Sequence, residues 1–464
     1  MGTHPIAIPP PVTPGPAWAG VTAGRNWNLL LLCVAVHVAA SVGRVQELFP
    51  FLWPLKPALV SGVLAIGLYL VHEDGARRID RLRAPTTTSV LLLLLWVALS
   101  VPGALYAGVA FRMLTDNFIK TVVMYLLIVG SVRGFRDVER LAFVYLATAA
   151  VFAAVVLARF DVGESSWRLA GLYYYDANDF ATFAVSAIPL AVYFTLAQRR
   201  LFRRLIGACG IATLVVAFIW SGSRGGFLAM FAMVAFVLLR YTALRARWRI
   251  LSTALIAALF LTTASDRYWT QMRTVLKPSE DYNLTAENGR ERIWRRGIGY
   301  MLSHPLFGVG ADNFGVAEGT ISYLTRLQER GIGARWNAPH NSFVQAGAEL
   351  GIPGLVLLLA VIGTAFRALG RVERLGVASS RHQRGPPELA QALKASLVGF
   401  VVGAFFLSLA YSQMLYALSA IAVALEKATI LTYRPLLAAR RGAPRPSAAS
   451  PLIKTGRWTS ARTA

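Results

Sequence analysis

Cysteine and acidic side chains are scarce in this chain, and charge of either sign is thin. The two cysteines, Cys33 and Cys209, lie inside apolar runs, which leaves no basis for a disulfide framework or a thiolate metal site. Asp and Glu number 23 against 47 Lys and Arg. Charged residues make up 15% of the chain and hydrophobic ones 56%, a balance that excludes an ordinary soluble domain. There is no HExxH pair, no Walker lysine loop and no Gly-x-Ser-x-Gly elbow, so zinc hydrolysis, ATP use and serine catalysis lack a motif.

What the sequence holds instead is apolar length. A helix needs about 20 apolar residues to cross the hydrocarbon, and on that measure there are about twelve candidate spans. Their cores begin near Asn26, Pro50, Ser89, Asp116, Glu139, Asn178, Phe202, Gly225, Trp248, Asn341, Leu389 and Gln413. The expected fold is all-α: a polytopic integral membrane protein of about 12 transmembrane helices with a helical extracytoplasmic subdomain. Residues 1–25 read as a disordered cytoplasmic tail, 26–264 as the first nine spans, and 265–340 as the long outside loop. Residues 341–433 read as the last three spans, and 434–464 as a basic cytoplasmic tail.

A net charge of +24 would suggest a nucleic-acid partner in a soluble chain, but here the arginines alternate by loop. Arg77, Arg78, Arg81 and Arg83, then Arg133, Arg136 and Arg140, then Arg199, Arg200, Arg203 and Arg204, mark inside segments. Arg240, Arg245, Arg247 and Arg249, and later Arg367, Arg371, Arg374, Arg381 and Arg384, continue the pattern. The partner so implied is membrane lipid, not nucleic acid, and both termini are expected to be cytoplasmic.

Against that rule a few residues stand out. Arg224 sits in Ser221-Gly-Ser-Arg-Gly-Gly226, a tight turn on the outside face. It either snorkels and bonds the end of the preceding helix, or clamps an anion beside glycine N–H groups at the start of the next one, with Ser223 alongside. Glu287 to Ser303 reads as an amphipathic helix with Arg290, Trp294 and Ile298 on one face and Met301 or Leu302 continuing it. On this reading Arg292, Arg295 and Arg296 point to solvent or headgroups, and Gly308-Val-Gly310 is a turn without nucleotide significance.

His340 follows Pro339 and precedes the helix opening at Asn341, so it lies at a helix N-terminus. The dipole and nearby arginines keep its ring neutral, able either to accept a proton or only to pack at the helix entrance. Among the other histidines, His304 before Pro305 reads as structural, and His37 within the first span as a helix-to-helix hydrogen bond or a functional polar group. Asp176-Ala-Asn-Asp179 reads first as a helix cap through Asn178 or Asp179 and secondarily as a divalent-cation ligand. Lys120 and Arg168 are weaker candidates for lipid phosphate, against readings as a snorkelling anchor and a loop charge.

Ser221-Gly-Ser-Arg-Gly-Gly226, Asn288-Gly-Arg290 with Trp294, His304-Pro-Leu-Phe-Gly-Val-Gly310, Pro339-His-Asn-Ser342 and Glu349-Leu-Gly-Ile-Pro-Gly354 together resemble the O-antigen ligase and polymerase superfamily of bacterial inner membranes. The resemblance runs from about Asp176 to the last helix and is thin before it. It implies a glycosyltransferase with its active site on the periplasmic side of a Gram-negative inner membrane, working without metal or other cofactor. The implied donor is undecaprenyl diphosphate-linked O-antigen and the implied acceptor the lipid A core oligosaccharide. By resemblance Arg224 and Arg290 clamp the diphosphate and His340 deprotonates the acceptor hydroxyl, in a direct displacement with inversion. Lys120, Arg168, Ser223, Trp294 and Asn341 are the accompanying substrate-binding candidates. The late, moderate loop favours the ligase branch. An O-antigen polymerase, a protein O-oligosaccharyltransferase, or a transporter or flippase of lipid-linked glycans are the alternatives.

Overall fold

Each apolar run begins a helix, and no strand occurs among the described residues. The computed structural model describes residues 27–72, 80, 82–160, 168–169, 175–198, 200–242, 244–276, 289–330, 337–378 and 385–442. The principal helices are α1 (Leu29–Ser41), α2 (Pro57–His72), α3 (Pro85–Ser100), α4 (Ala107–Ser131), α5 (Phe135–Arg159), α6 (Ala177–Leu196), α7 (Leu201–Ser221) and α8 (Arg224–Arg240). They continue with α9 (Ala246–Thr263), α10 (Asp266–Arg273), α11 (Arg290–Ser303), α12 (Phe314–Thr320), α13 (Leu324–Glu329), α14 (Ser342–Ala378), α15 (Pro386–Ala404) and α16 (Gln413–Gly442). The segment read as the N-terminal tail, Arg77, Arg78, Arg81, Arg199, Arg381 and Arg384, and Glu287 and Asn288 of the loop helix, lie outside the described residues.

Among the described residues, seven helices are long and apolar enough to cross a membrane, and an eighth span counts if α9 and α10, bent by 111°, are taken as one. The protein is therefore a multi-span helical membrane protein. α1 has 13 residues and α3 has 16, shorter than a full crossing needs. α6 lies at the centre, packed against α5, α7, α8 and α15, and from Phe180 to Phe194 it is buried throughout.

Basic residues collect at one end of the bundle, where several meet carboxylates. Arg140 pairs with Asp137 at 2.8 Å, Arg203 with Glu139 at 3.0 Å, Lys394 with Glu373 at 2.6 Å and Arg371 with Glu426 at 2.9 Å. The opposite end receives the N-termini of α6, α8 and α14 and the small helices α11 to α13.

Two of the motifs form one structural joint at that end. α14 breaks at Gly351, whose backbone is left-handed (φ 70°), so the carbonyls just before it lose their helical donors. Val309 N–H donates to Ala348 O and Gly310 N–H to Glu349 O, both at 2.9 Å, while Trp96 Nε1–H donates to Leu350 O at 3.0 Å. Beyond the break, Ile352 N–H donates to Pro305 O at 2.8 Å. Residues 304–310 thus plug the kink in α14, which satisfies polar backbone that would otherwise be buried and unpaired. A Cβ on Gly351 would run into the Pro305 and Leu306 backbone, and one on Gly308 into Glu349.

Candidate active site

The turn before α8 forms as its sequence demands. α7 ends on Gly222 in the left-handed region (φ 59°), and Ser223 caps α8 by accepting from Gly226 N–H at 3.1 Å. Two of its glycines serve packing. A Cβ on Gly226 would meet Ala181 of α6 at 2.8 Å, and one on Gly225 would meet Phe406 at 2.8 Å. The expectation that glycine N–H groups here cradle a phosphate needs correction, because Gly226 N–H is taken by Ser223 and Gly222 N–H by Ile219 O. The Arg224 guanidinium donates to Thr274 Oγ1 at 3.0 Å.

α11 turns a different face inward than its apolar periodicity suggests. Ile293, Gly297 and Tyr300 are buried, while Ile298 and Leu302 are exposed and Arg290 and Trp294 sit on the flank, half-buried. Arg296, expected at a solvated surface, instead pairs with the fully buried Glu318 of α12 through two hydrogen bonds of 2.7 and 2.6 Å, and Tyr300 OH donates to the same carboxylate at 2.9 Å. The periodicity missed this because a bidentate arginine can replace an apolar contact on the inner face. The pair fixes α11, and with it the flank that carries Arg290 and Trp294. Arg295, by contrast, makes an exposed pair with Glu291.

His340 has a left-handed backbone (φ 46°), uncommon for a residue with a side chain. Four bonds hold it there. Its N–H donates to Ser408 Oγ at 2.9 Å, Trp294 Nε1–H donates to Pro339 O at 2.9 Å, and Asn341 caps α14 by accepting from Phe343 and Val344 N–H at 2.9 and 3.0 Å. Burial is the main force keeping its ring below the ordinary histidine range. The Arg290 charge adds to that, and the Asp176 carboxylate opposes it. Burial, which the sequence reading did not name, is thus the first cause of this lowering.

The segment joining α15 to α16, Phe405 to Leu409, links these pieces. Phe406 abuts Gly225, and Phe405 meets the edge of Trp294 at 5.4 Å and the ring of Phe343 at 6.3 Å. Ser408 holds His340, while Ser342 Oγ donates to Leu407 O at 2.7 Å and accepts from Leu409 N–H at 2.8 Å. Further along α14, Gln345 accepts from Ala410 N–H and Glu349 from Tyr411 OH. The turn that carries Arg224, the helix that carries Arg290 and His340 itself thus each touch one segment that sequence reasoning overlooked. Nothing in Phe-Phe-Leu-Ser sets it apart, although Gln345 and Glu349 inside an apolar run hint that a polar partner is needed.

The remaining candidates divide. Arg168 stands beside the end of α7, since Leu169 N–H donates to Trp220 O at 2.8 Å. Ser223, Asn341 and Trp294 belong to the site as cap, cap and brace. Lys120 has an exposed side chain whose ion-pair partner is Asp116, at 4.0 Å, and no described contact joins it to the cluster. The cap of α6 is Asp176, not Asn178 or Asp179: it accepts from both of their N–H groups at 2.7 Å. His304 ends α11 in an exposed position, and His37 Nδ1 bonds Ala58 O across to α2 at 2.8 Å.

Residues 209–359 match the family model described as O-Antigen ligase. This stretch, about a third of the chain, is similar to the O-antigen ligase family. It contains Arg224, Arg290, His340 and both motifs of the kink joint, whereas Trp96, Asp176 and Phe405 to Leu409 fall outside it. The chain is also similar to the exopolysaccharide production protein ExoQ of Rhizobium meliloti (strain 1021), with 39% identity over 89 residues, or 19% of this chain. The chain spans 20% of the length of that relative. The match and the helices together support a multi-span membrane protein that carries a segment similar to this family.

Proposed function

We propose that the protein is an O-antigen ligase: a glycosyltransferase that moves a polysaccharide from undecaprenyl diphosphate to the lipid A core oligosaccharide. It works on the periplasmic face of a Gram-negative inner membrane, with about twelve crossings once the shorter helices are counted. The observation that carries this reading is the meeting of a half-buried histidine, whose burial disfavours the charged ring, with Arg290 beside the Arg224 turn. Arginines at the mouth of helices suit a leaving diphosphate, and α11 begins at Arg290 with no side-chain cap on its first N–H groups.

In this mechanism the acceptor hydroxyl gives its proton to the His340 ring as its oxygen bonds the anomeric carbon. The carbon–oxygen bond to the diphosphate breaks on the opposite face, and its electron pair leaves on the diphosphate oxygen, where Arg224 and Arg290 stabilise the charge. Inversion at the anomeric carbon follows.

The name of the Rhizobium relative favours a second reading, in which the acceptor is another lipid-linked glycan and the product a longer polymer. Purified protein given undecaprenyl diphosphate-linked glycan and lipid A core, with EDTA and no ATP, should yield a lipopolysaccharide ladder. Lipid-linked polymer would select the polymerase. His340→Ala should bind donor and lose turnover, and unimpaired function in that variant would point to a transporter.

A further inference from the structure

Asp176 is out of place in a site built to receive an anion. Three helix N-termini with side-chain caps, those of α6, α8 and α14, gather near Arg224 and Arg290. α6 and α8 touch through Ala181 and Gly226, and α6 and α15 through Thr182 and Gly403, five residues before Ser408. This places the first turn of α6, headed by Asp176, at the segment that holds His340. A carboxylate here repels a diphosphate. The cap alone does not require it, because asparagine caps a helix as well as aspartate does. Both cap bonds use Oδ1, and among the described residues Oδ2 accepts none.

We infer that Asp176 is a positioning residue for His340, whose carboxylate steadies the imidazolium formed when the ring takes the acceptor's proton. This rests on His340 being the base. Among the described residues, the charged groups facing His340 are then Arg290 from α11 and Asp176 from α6. The Phe405 to Leu409 segment offers the Ser408 hydroxyl, α14 offers its own caps, and the α8 arginine is directed to Thr274. Arg290 disfavours the charged ring and Asp176 favours it, so the proton is accepted between opposing charges.

Asp176→Asn separates charge from cap. The variant should melt with the wild type and bind undecaprenyl diphosphate at least as tightly. Its turnover should fall about tenfold or more. The acid limb of its kcat/KM profile should move to lower pH, because the group holding the His340 pKa up is gone. Asp176→Ala, which also loses the cap, should add a thermal destabilisation. Wild-type turnover with an unmoved acid limb in Asp176→Asn would overturn the inference. If His340→Ala itself turns over normally, the base assignment fails first, and the two failures are told apart by running both variants together.

Discussion

Trp294→Phe isolates one bond of the scaffold that shapes the site. In the native protein Trp294 Nε1–H donates to Pro339 O at 2.9 Å, and its ring meets Phe405 edge-on at 5.4 Å. Phenylalanine keeps the edge contact, worth about 0.5–1.5 kcal/mol, and removes only the donor. Pro339 is buried, so its carbonyl then lacks a partner, at a cost of about 1–3 kcal/mol. That carbonyl immediately precedes His340, whose left-handed backbone carries strain of about 1–3 kcal/mol and persists only while its surroundings enforce it. If the lost bond is felt in the placement of the imidazole, turnover drops by about 5- to 160-fold, at about 1.36 kcal/mol per factor of ten. Donor affinity should change by no more than about twofold, since no arginine has moved. Single-turnover transfer measured beside equilibrium donor binding reads the two separately. Wild-type turnover in Trp294→Phe would refute the bracing role.

Replacing Arg290 with Gln removes the positive charge that helps hold the His340 ring uncharged, so the acid limb of kcat/KM should shift to higher pH, the reverse of Asp176→Asn, and a pH–rate series checks the sign. Glu318→Ala strands the Arg296 guanidinium and should cost about 3–5 kcal/mol of stability, read as a fall in thermal midpoint that Arg296→Met in the same chain partly restores. Gly226→Ala drives a methyl into Ala181 and should displace the start of α8 and abolish transfer. Gly299→Ala meets nothing within 4 Å and should be neutral or stabilise by about 0.5–1 kcal/mol, a contrast that melting curves and transfer assays would show.

Apolar length and arginine alternation made the helices legible, because spanning a bilayer restricts sequence more tightly than folding in water does. The turn at Gly222, the cap at Asn341 and the strategic place of His340 also follow from local chemistry that can be read off neighbouring residues. Other features depend on partners distant in sequence. Gly225 and Gly226 look like a phosphate cradle until Phe406 and Ala181 are seen against them. The 304–310 and 349–354 motifs look like separate turns, yet each supplies what the other's broken backbone lacks. Arg296 looks solvated until Glu318 arrives from α12. The Phe405 to Leu409 segment carries no composition signal at all, since its task is to offer a hydroxyl, two backbone groups and two rings at the right places.

A donor analogue bearing a photoreactive group at the undecaprenyl diphosphate, cross-linked in membranes and mapped by mass spectrometry, tests directly whether these pieces make one site. Labels should fall on the first turn of α8, the first turn of α11 and the residues around His340. Labels confined to the opposite end of the bundle, near Arg140, Arg203 and Lys394, would contradict the account.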